Sequence, residues 1–192
     1  MRKLLPVLVA LCATGCFNEP EPAYKSVPAE NRVYLNDKGL KAVPEVNAKA
    51  DYLNLDRNQL EKADGVEKLT ELKWLRLNDN KLAALPDLKG LVNLRRIYLR
   101  NNKFAAVPET LKDLPALTDI DLSGNPIKEV PQWLAEKKGL KNLSFSRTQV
   151  VKLPENLEVW KDLQCLQLGD LNISAAEMAR IRSALPNVAI VF

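Results

Sequence analysis

The sequence predicts an α/β solenoid in which short parallel strands stack into one continuous sheet. Four stretches follow the form L-x-x-L-x-L-x-x-N-x-L, at residues 72–82, 94–104, 117–127 and, with substitutions, 140–150. The second apolar residue of each predicted strand recurs every 20 to 23 residues, in the series Leu35, Leu55, Leu77, Leu99, Leu122, Phe145, Leu168 and Ile190. A fixed period of this length is typical of repeat arrays, in which each unit buries its apolar face only against its neighbours.

Each copy combines an apolar pair with a polar residue that follows it. Side chains alternate along a strand, so the two apolar residues, separated by one position, face the same side. Stacking the strands in parallel buries that side throughout the array. The polar residue is an asparagine in four copies: Asn58, Asn80, Asn102 and Asn125. An amide can both donate to and accept from the backbone of the turn after the strand, which explains the choice of residue.

The return path of each repeat is predicted to lack long helices. Five repeats place a proline after an apolar residue there: Pro44, Pro86, Pro108, Pro131 and Pro154. Proline fixes φ and disfavours a helix immediately before it, so short extended or 3₁₀ segments are expected opposite the strands. Lys137 occupies a position where an apolar residue is expected, which predicts a local bulge.

Motif, spacing and copy number together resemble the leucine-rich repeat family over residues 30–192. The resemblance implies a horseshoe with about seven repeats, parallel strands on the concave face and a mostly irregular or 3₁₀ convex side. A C-terminal cap is predicted from the residues themselves. Ser174-Ala-Ala-Glu177 forms a capping box at the start of a helix over 175–185, and alternating apolar residues then form a last strand.

The first 15 residues predict an export signal. Arg2 and Lys3 precede about ten apolar residues, whereas a membrane-spanning helix needs roughly 20. The sequence Ala13-Thr14-Gly15-Cys16 resembles a bacterial lipobox, which implies cleavage after Gly15 and attachment of acyl chains such as palmitate to Cys16. An ordinary secretory signal and a chance apolar start are the alternatives.

Residues 16–29 predict an extended tether between the lipid and the repeats. Pro20, Pro22 and Pro28 interrupt it, no apolar period runs through it, and it could reach about 40 Å. By the same resemblance, Asp after the acylated cysteine retains lipoproteins in the inner membrane, so Phe17 favours the outer membrane of a bacterial cell envelope. Cys165 would then be the one cysteine left for the mature repeats, and its strand position predicts an exposed thiol.

Strand alternation predicts which side chains line the concave face in three columns. The first column is Arg32, Tyr52, Trp74, Arg96, Asp119, Asn142 and Cys165. The second is Tyr34, Asn54, Arg76, Tyr98, Asp121, Ser144 and Gln167, and the third is Asn36, Asp56, Asn78, Arg100, Ser123, Ser146 and Gly169. Aromatic and arginine residues are concentrated in the first four strands.

This concentration predicts a partner-binding face. The candidate contact residues are Tyr34, Tyr52, Trp74, Arg76, Arg96, Tyr98, Arg100, Asp119 and Asp121. Tyrosine, tryptophan and arginine dominate the binding energy of protein interfaces, and exposed aromatic side chains are costly unless they are used. The alternative is a solvated sheet in which Arg96 pairs with Asp119 and stacks on Trp74.

Composition restricts the function classes. The chain has no histidine, which excludes a Ser-His-Asp triad, a Cys-His pair and histidine-based metal sites. Its net charge of +4 falls to +2 without Arg2 and Lys3, too little for a nucleic-acid-binding face. Asp119 and Asp121 could be imagined as a catalytic pair, but a salt bridge with Arg96 is favoured. We therefore predict a non-catalytic, membrane-anchored protein-binding module without cofactor or metal. A structural envelope lipoprotein is the alternative.

Overall fold

The structure, a computed structural model, describes residues 29–192 and contains one sheet of eight parallel strands in chain order. The strands are β1 Arg32–Tyr34, β2 Tyr52–Asn54, β3 Trp74–Arg76, β4 Arg96–Tyr98, β5 Asp119–Asp121, β6 Asn142–Ser144, β7 Cys165–Gln167 and β8 Ala189–Val191. Each strand pairs with the next in the predicted register, so the solenoid prediction is confirmed. The predicted leader, Cys16 and the tether up to residue 28 lie outside the described residues.

The convex side consists of short helical segments and irregular backbone, as predicted. The 3₁₀ segments are Ala29–Asn31, Val66–Lys68, Glu109–Leu111 and Glu158–Asp162, and the one α-helix on the convex side of the described residues is α1, Gln132–Glu136. Pro108 and Pro131 stand at the residue before a helical segment, with φ of −60° and −69°. Their backbone is extended, with ψ of 121° and 149°, so each proline lies just outside the helical segment, where its missing N–H breaks no helical hydrogen bond.

The core runs continuously between the sheet and the convex segments. The inward residue of each central strand and the apolar residue after it are fully buried. Lys137, which replaces an expected apolar residue, directs its ammonium group to the carbonyl oxygens of Lys112 and Leu114, at 3.0 and 2.8 Å. Partial burial lowers the pKa of Lys137, although Asp113 acts in the opposite direction.

The asparagines after the strands form a buried ladder that connects neighbouring repeats. The amide nitrogen of Asn80 donates to the carbonyl oxygens of Leu55 and Leu77, at 3.0 and 3.2 Å. Its oxygen accepts from the backbone N–H of Leu60 at 3.0 Å. The same pattern occurs at Asn58, Asn102 and Asn125. The predicted double role of the amide is therefore confirmed.

The C-terminal cap consists of α2, Ala175–Ala184, followed by β8. The hydroxyl of Ser174 accepts from the N–H of Glu177 at 3.2 Å, but the Glu177 carboxylate accepts from the N–H of Leu153 at 2.9 Å. Only the serine half of the predicted capping box forms, because the carboxylate instead pairs with Arg180 and the preceding repeat. Within residues 29–192 no helix is both long and apolar enough to cross a bilayer.

Candidate partner-binding face

The predicted candidate residues lie on five adjacent strands, β1 to β5, except Arg100, which follows β4. Trp74 lies opposite Tyr52 on one side and Arg96 on the other, and Arg76 lies opposite Tyr98. We refer to Tyr34, Tyr52, Trp74, Arg76, Arg96, Tyr98 and Arg100 as the aromatic–arginine face. The strand register thus confirms the positions of the first and second columns. The third column follows the ends of the strands, and the role of the face in binding stays a prediction.

Three aromatic rings form a row across the first three strands. The ring centroids of Tyr34 and Tyr52 are 5.2 Å apart with a tilt of 49°, and those of Tyr52 and Trp74 are 6.1 Å apart and nearly perpendicular, at 78°. Tilted and edge-to-face arrangements at such distances are favoured by the ring quadrupoles. The row is therefore a packed unit rather than three independent side chains.

Two arginines are each held between a ring and a carboxylate. The guanidinium carbon of Arg96 lies 4.8 Å from the centroid of the Trp74 ring, and its Nε is 3.8 Å from a carboxylate oxygen of Asp119. The guanidinium group of Arg76 lies 5.3 Å from the Tyr98 ring and 2.7 Å from Asp56. The predicted stacking and pairing of Arg96 are confirmed.

The rings are much less exposed than the sequence suggests. Tyr34 is 50% exposed, but Tyr52, Trp74 and Tyr98 are only 2%, 8% and 7% exposed. The prediction of an open aromatic surface is therefore wrong for these three residues. The contacts between the rings, and the guanidinium groups above Trp74 and Tyr98, account for part of this burial.

The two carboxylates of β5 are also buried, and they belong to separate hydrogen-bond networks. Asp119 accepts hydrogen bonds from the amide of Asn142 at 2.5 Å and from the Thr118 hydroxyl, and it forms an ion pair with Arg96. One carboxylate oxygen of Asp121 accepts from the N–H and the hydroxyl of Ser123, at 2.9 and 2.6 Å. The structure therefore brings them together on one strand without joining them as a catalytic pair.

Burial also affects the ionisation of Asp121. Desolvation raises the pKa of Asp121 above its ordinary value of 3.8, and it outweighs the opposing effects of the Ser123 hydrogen bonds and of Arg100 and Arg147. The carboxylate is thus incompletely compensated by its surroundings.

The sequence did not predict the contacts or the burial of several residues of this face. Asp56, which fixes Arg76, was placed in the third column without a role; its position one strand before Arg76 was the available signal. Ser144, a member of the second column, is fully buried and its hydroxyl has no hydrogen-bond partner, which alternation alone does not indicate. Cys165 is only 2% exposed, so the prediction of an exposed thiol is wrong. Among the described residues, no group of acidic, cysteine or histidine side chains is arranged to hold a metal ion.

Comparison with known proteins identifies the class of protein to which this fold corresponds. Residues 70–127 match the leucine rich repeat family. A leucine-rich repeat protein of Leptospira interrogans superimposes with a TM-score of 0.63 and 25% identity, over 80% of this chain and 46% of that one. An internalin of Listeria monocytogenes superimposes with a TM-score of 0.59 and 20% identity, over 76% and 48%.

These likenesses establish the fold as a leucine-rich repeat horseshoe. The chain spans about half of the length of the two solved structures. No curated protein sequence matches it. Leucine-rich repeats are commonly scaffolds for protein interaction. Because a fold of this kind hosts several functions, the function of this chain has to be inferred from the residues of its concave face.

Proposed function

We propose that this chain is a non-catalytic, lipid-anchored module that binds a protein or peptide on its concave face. The observation that carries the proposal is the fixed geometry of two arginines on that face. Arg76 is held by Asp56 and Tyr98, and Arg96 by Asp119 and Trp74, yet their side chains retain 30% and 20% exposure.

Fixed arginines are favourable contact residues because they lose little conformational freedom on binding. Ordering a long, mobile side chain at an interface costs about 0.5–1.5 kcal/mol, and preorganisation removes part of that cost. Tyr34, which is half-exposed at one end of the ring row, and the exposed Arg100 extend the same surface on both sides. The buried rings therefore act as a support that orients the arginines, and the exposed groups provide the contacts.

The non-catalytic part of the proposal is supported by the charged groups of the face. Asp119 and Asp121 are occupied by separate networks, and the chain has no histidine to act as a base. A structural envelope role without a specific partner is the second candidate. It is favoured by the same ion pairs, since each arginine of the pairs already has a carboxylate of this chain beside it.

Truncation of Trp74 should distinguish these two candidates. A partner is first captured from membrane extracts with the purified full chain, and its affinity is then measured by calorimetry. Trp74→Ala removes the support of Arg96 and should weaken binding roughly thirtyfold, about 2 kcal/mol. It should also lower the melting temperature, because Trp74 is buried.

Two variants control this experiment. Trp74→Phe keeps a ring beneath Arg96 and should retain most of the affinity. Trp133→Ala is a truncation of equal size on the convex side, where the Trp133 indole donates to Glu109 at 2.9 Å, and should leave affinity unchanged. Equal affinities for wild type and Trp74→Ala would contradict the concave-face proposal and favour the structural role.

We further propose that Cys16 carries the lipid that anchors the protein, in the outer membrane of a bacterial envelope. The support is the lipobox-like sequence before Cys16 and the short apolar stretch in front of it. Within the described residues no transmembrane helix offers another anchor.

Cys16→Ser should release the protein from the membrane pellet and abolish incorporation of labelled palmitate. One acyl chain binds only marginally, so stable anchoring needs more than one chain on the mature protein. Cys12→Ser is the matched control, because Cys12 lies within the predicted leader, and this variant should remain acylated. A pelleting Cys16→Ser protein, or an intact mass showing Cys16 in a disulfide rather than acylated, would contradict the assignment.

A further inference from the structure

The charged residues of the concave face form two layers, with the negative charges beneath the positive ones. The acidic residues of the three columns are all buried, and they are Asp56, Asp119 and Asp121. The arginines of the same columns all retain exposed surface, and they are Arg32, Arg76, Arg96 and Arg100. A molecule that approaches this face therefore meets guanidinium groups before it meets carboxylates.

The two ion pairs of the face show this order directly. The side chain of Asp56 is 4% exposed, whereas that of its partner Arg76 is 30% exposed. The side chain of Asp119 is 7% exposed, whereas that of Arg96 is 20% exposed. The carboxylates thus reduce the charge of the arginines without occupying the outer surface. Because the arginines also outnumber the carboxylates, the outer surface of the columns is cationic.

Three of these arginines form a zigzag across two neighbouring strands. Arg76 on β3 lies opposite Tyr98 on β4. Arg96 stands two residues before Tyr98 and Arg100 two residues after it, so alternation places both side chains on the same face. Strands are about 4.8 Å apart and rise about 3.3 Å per residue. The Cα atoms of Arg96 and Arg100 are therefore each about 8 Å from that of Arg76 and about 13 Å from each other.

We infer that the protein partner binds this face through an extended acidic segment, with carboxylates at alternate positions that contact Arg96, Arg76 and Arg100 in turn. The inference rests on the concave-face binding proposed above and names the chemistry of its ligand. Alternate side chains of an extended segment face one side, about 7 Å apart, and its first and fifth residues are about 13 Å apart. These spacings correspond to those of the arginines, whose planar groups bind carboxylates through paired hydrogen bonds.

A peptide can replace the unidentified partner in a first test. The probe is acetyl-Thr-Glu-Thr-Glu-Thr-Glu-Thr-amide, titrated against the ¹⁵N-labelled full chain by NMR at pH 7. We expect saturable shifts of the side-chain N–H signals of Arg76, Arg96 and Arg100. Raising the salt concentration from about 50 to about 300 mM should weaken binding severalfold, because exposed charges are screened. The same peptide with glutamine in place of glutamate should produce no saturable shift.

Variants and a rearranged peptide locate the effect. Arg100→Gln should weaken the acidic peptide by about fivefold, and Arg100→Lys, which keeps the charge, should weaken it less. Arg95→Gln is the matched control, because it removes the same charge from an exposed residue just before β4, and it should leave the affinity unchanged. A peptide with three consecutive glutamates should bind more weakly than the probe. Equal affinities for the two peptides, or an unchanged affinity for Arg100→Gln, would overturn the inference.

Other occupants of the face would give different results. Glu19 and Glu21 also stand at alternate positions of this chain. If the double variant Glu19→Gln, Glu21→Gln binds the probe severalfold more tightly than wild type, this segment competes for the arginines and the assignment to a partner is overturned. Tighter binding of a thymidine oligonucleotide of the same charge would also overturn it. If a captured partner is weakened by Trp74→Ala but not by Arg100→Gln, the acidic-segment inference fails while the concave-face proposal stands.

Discussion

Leu99→Asp should move the denaturant midpoint of the repeat array to a much lower concentration. Leu99 is fully buried between the equivalent residues Leu77 and Leu122 of the neighbouring repeats. Its N–H donates to the carbonyl oxygen of Asp121 at 2.8 Å, so the backbone cannot turn the side chain outward without losing a bond between repeats. An unpaired carboxylate at this position should cost several kcal/mol.

The effect should extend beyond the substituted repeat. The stability of a repeat array is approximately a sum over units and their interfaces, and position 99 takes part in two interfaces. Denaturant unfolding, monitored by circular dichroism, should therefore show a loss of stability for the whole array. Lys103→Asp, at an exposed position of the same repeat, is the control and should shift the midpoint little. An unchanged midpoint for Leu99→Asp would mean that the assigned register is wrong by one residue.

The register was predictable because a single periodic pattern determines it. Apolar residues two positions apart, repeated every 20 to 23 residues, leave only one alignment in which every strand buries the same side. That alignment placed Trp74 opposite Arg96 and Asp119 opposite Asn142, as the structure shows. The short 3₁₀ segments of the convex side were predictable from the prolines, because proline restricts the backbone of its own residue and of the residue before it.

The exposure of the concave face could not be predicted by the same reasoning. Alternation indicates which side of the sheet a residue faces, but not how closely its neighbours approach. Trp74 faces away from the core as expected and is nevertheless buried, and the contacts of its ring with Tyr52 and Arg96 account for part of that burial. Burial of this kind depends on the directions of side chains on several neighbouring strands. The list of residues in a single column does not indicate those directions.

Diagonal and long-range partners were missed for the same reason. Asp56 and Arg76 occupy different columns on neighbouring strands, so a comparison within columns does not pair them. The capping box predicts that the Glu177 carboxylate accepts from the backbone at the start of its own helix, but the carboxylate instead accepts from the N–H of Leu153 in the preceding repeat. In both cases the sequence identifies a polar residue but not its actual partner.

Neighbouring asparagines of the ladder share hydrogen-bond acceptors, and this sharing determines how much a single asparagine contributes to the stability of the array. The carbonyl oxygen of Leu77 accepts from Asn80 at 3.2 Å and from Asn102 at 2.9 Å. The carbonyl oxygen of Leu99 accepts from the Asn102 amide at 3.0 Å and from the Asn125 amide at 2.9 Å. Each of these carbonyls would therefore keep one amide donor after loss of Asn102. The backbone N–H of Leu82 would lose its acceptor, the Asn102 side-chain oxygen at 3.0 Å.

Asn102→Ala should consequently destabilise the array by about 2 to 4 kcal/mol. One buried donor without a partner costs about 1–3 kcal/mol, and two weakened carbonyls and a small cavity add to it. Asn102→Thr should cost less, because the hydroxyl of Thr148 at the equivalent position already donates to the carbonyl of Phe145 at 2.7 Å.

Chemical denaturation and amide hydrogen exchange should both reveal the loss of stability caused by Asn102→Ala. Protection of the Leu82 amide should fall more than that of amides in distant repeats, since its bond is the one removed outright. Asn93→Ala is the matched control: Asn93 is exposed and makes one longer bond, 3.3 Å, to the carbonyl of Thr70. Equal midpoints for Asn102→Ala and Asn93→Ala would show that the ladder connects the repeats without stabilising them.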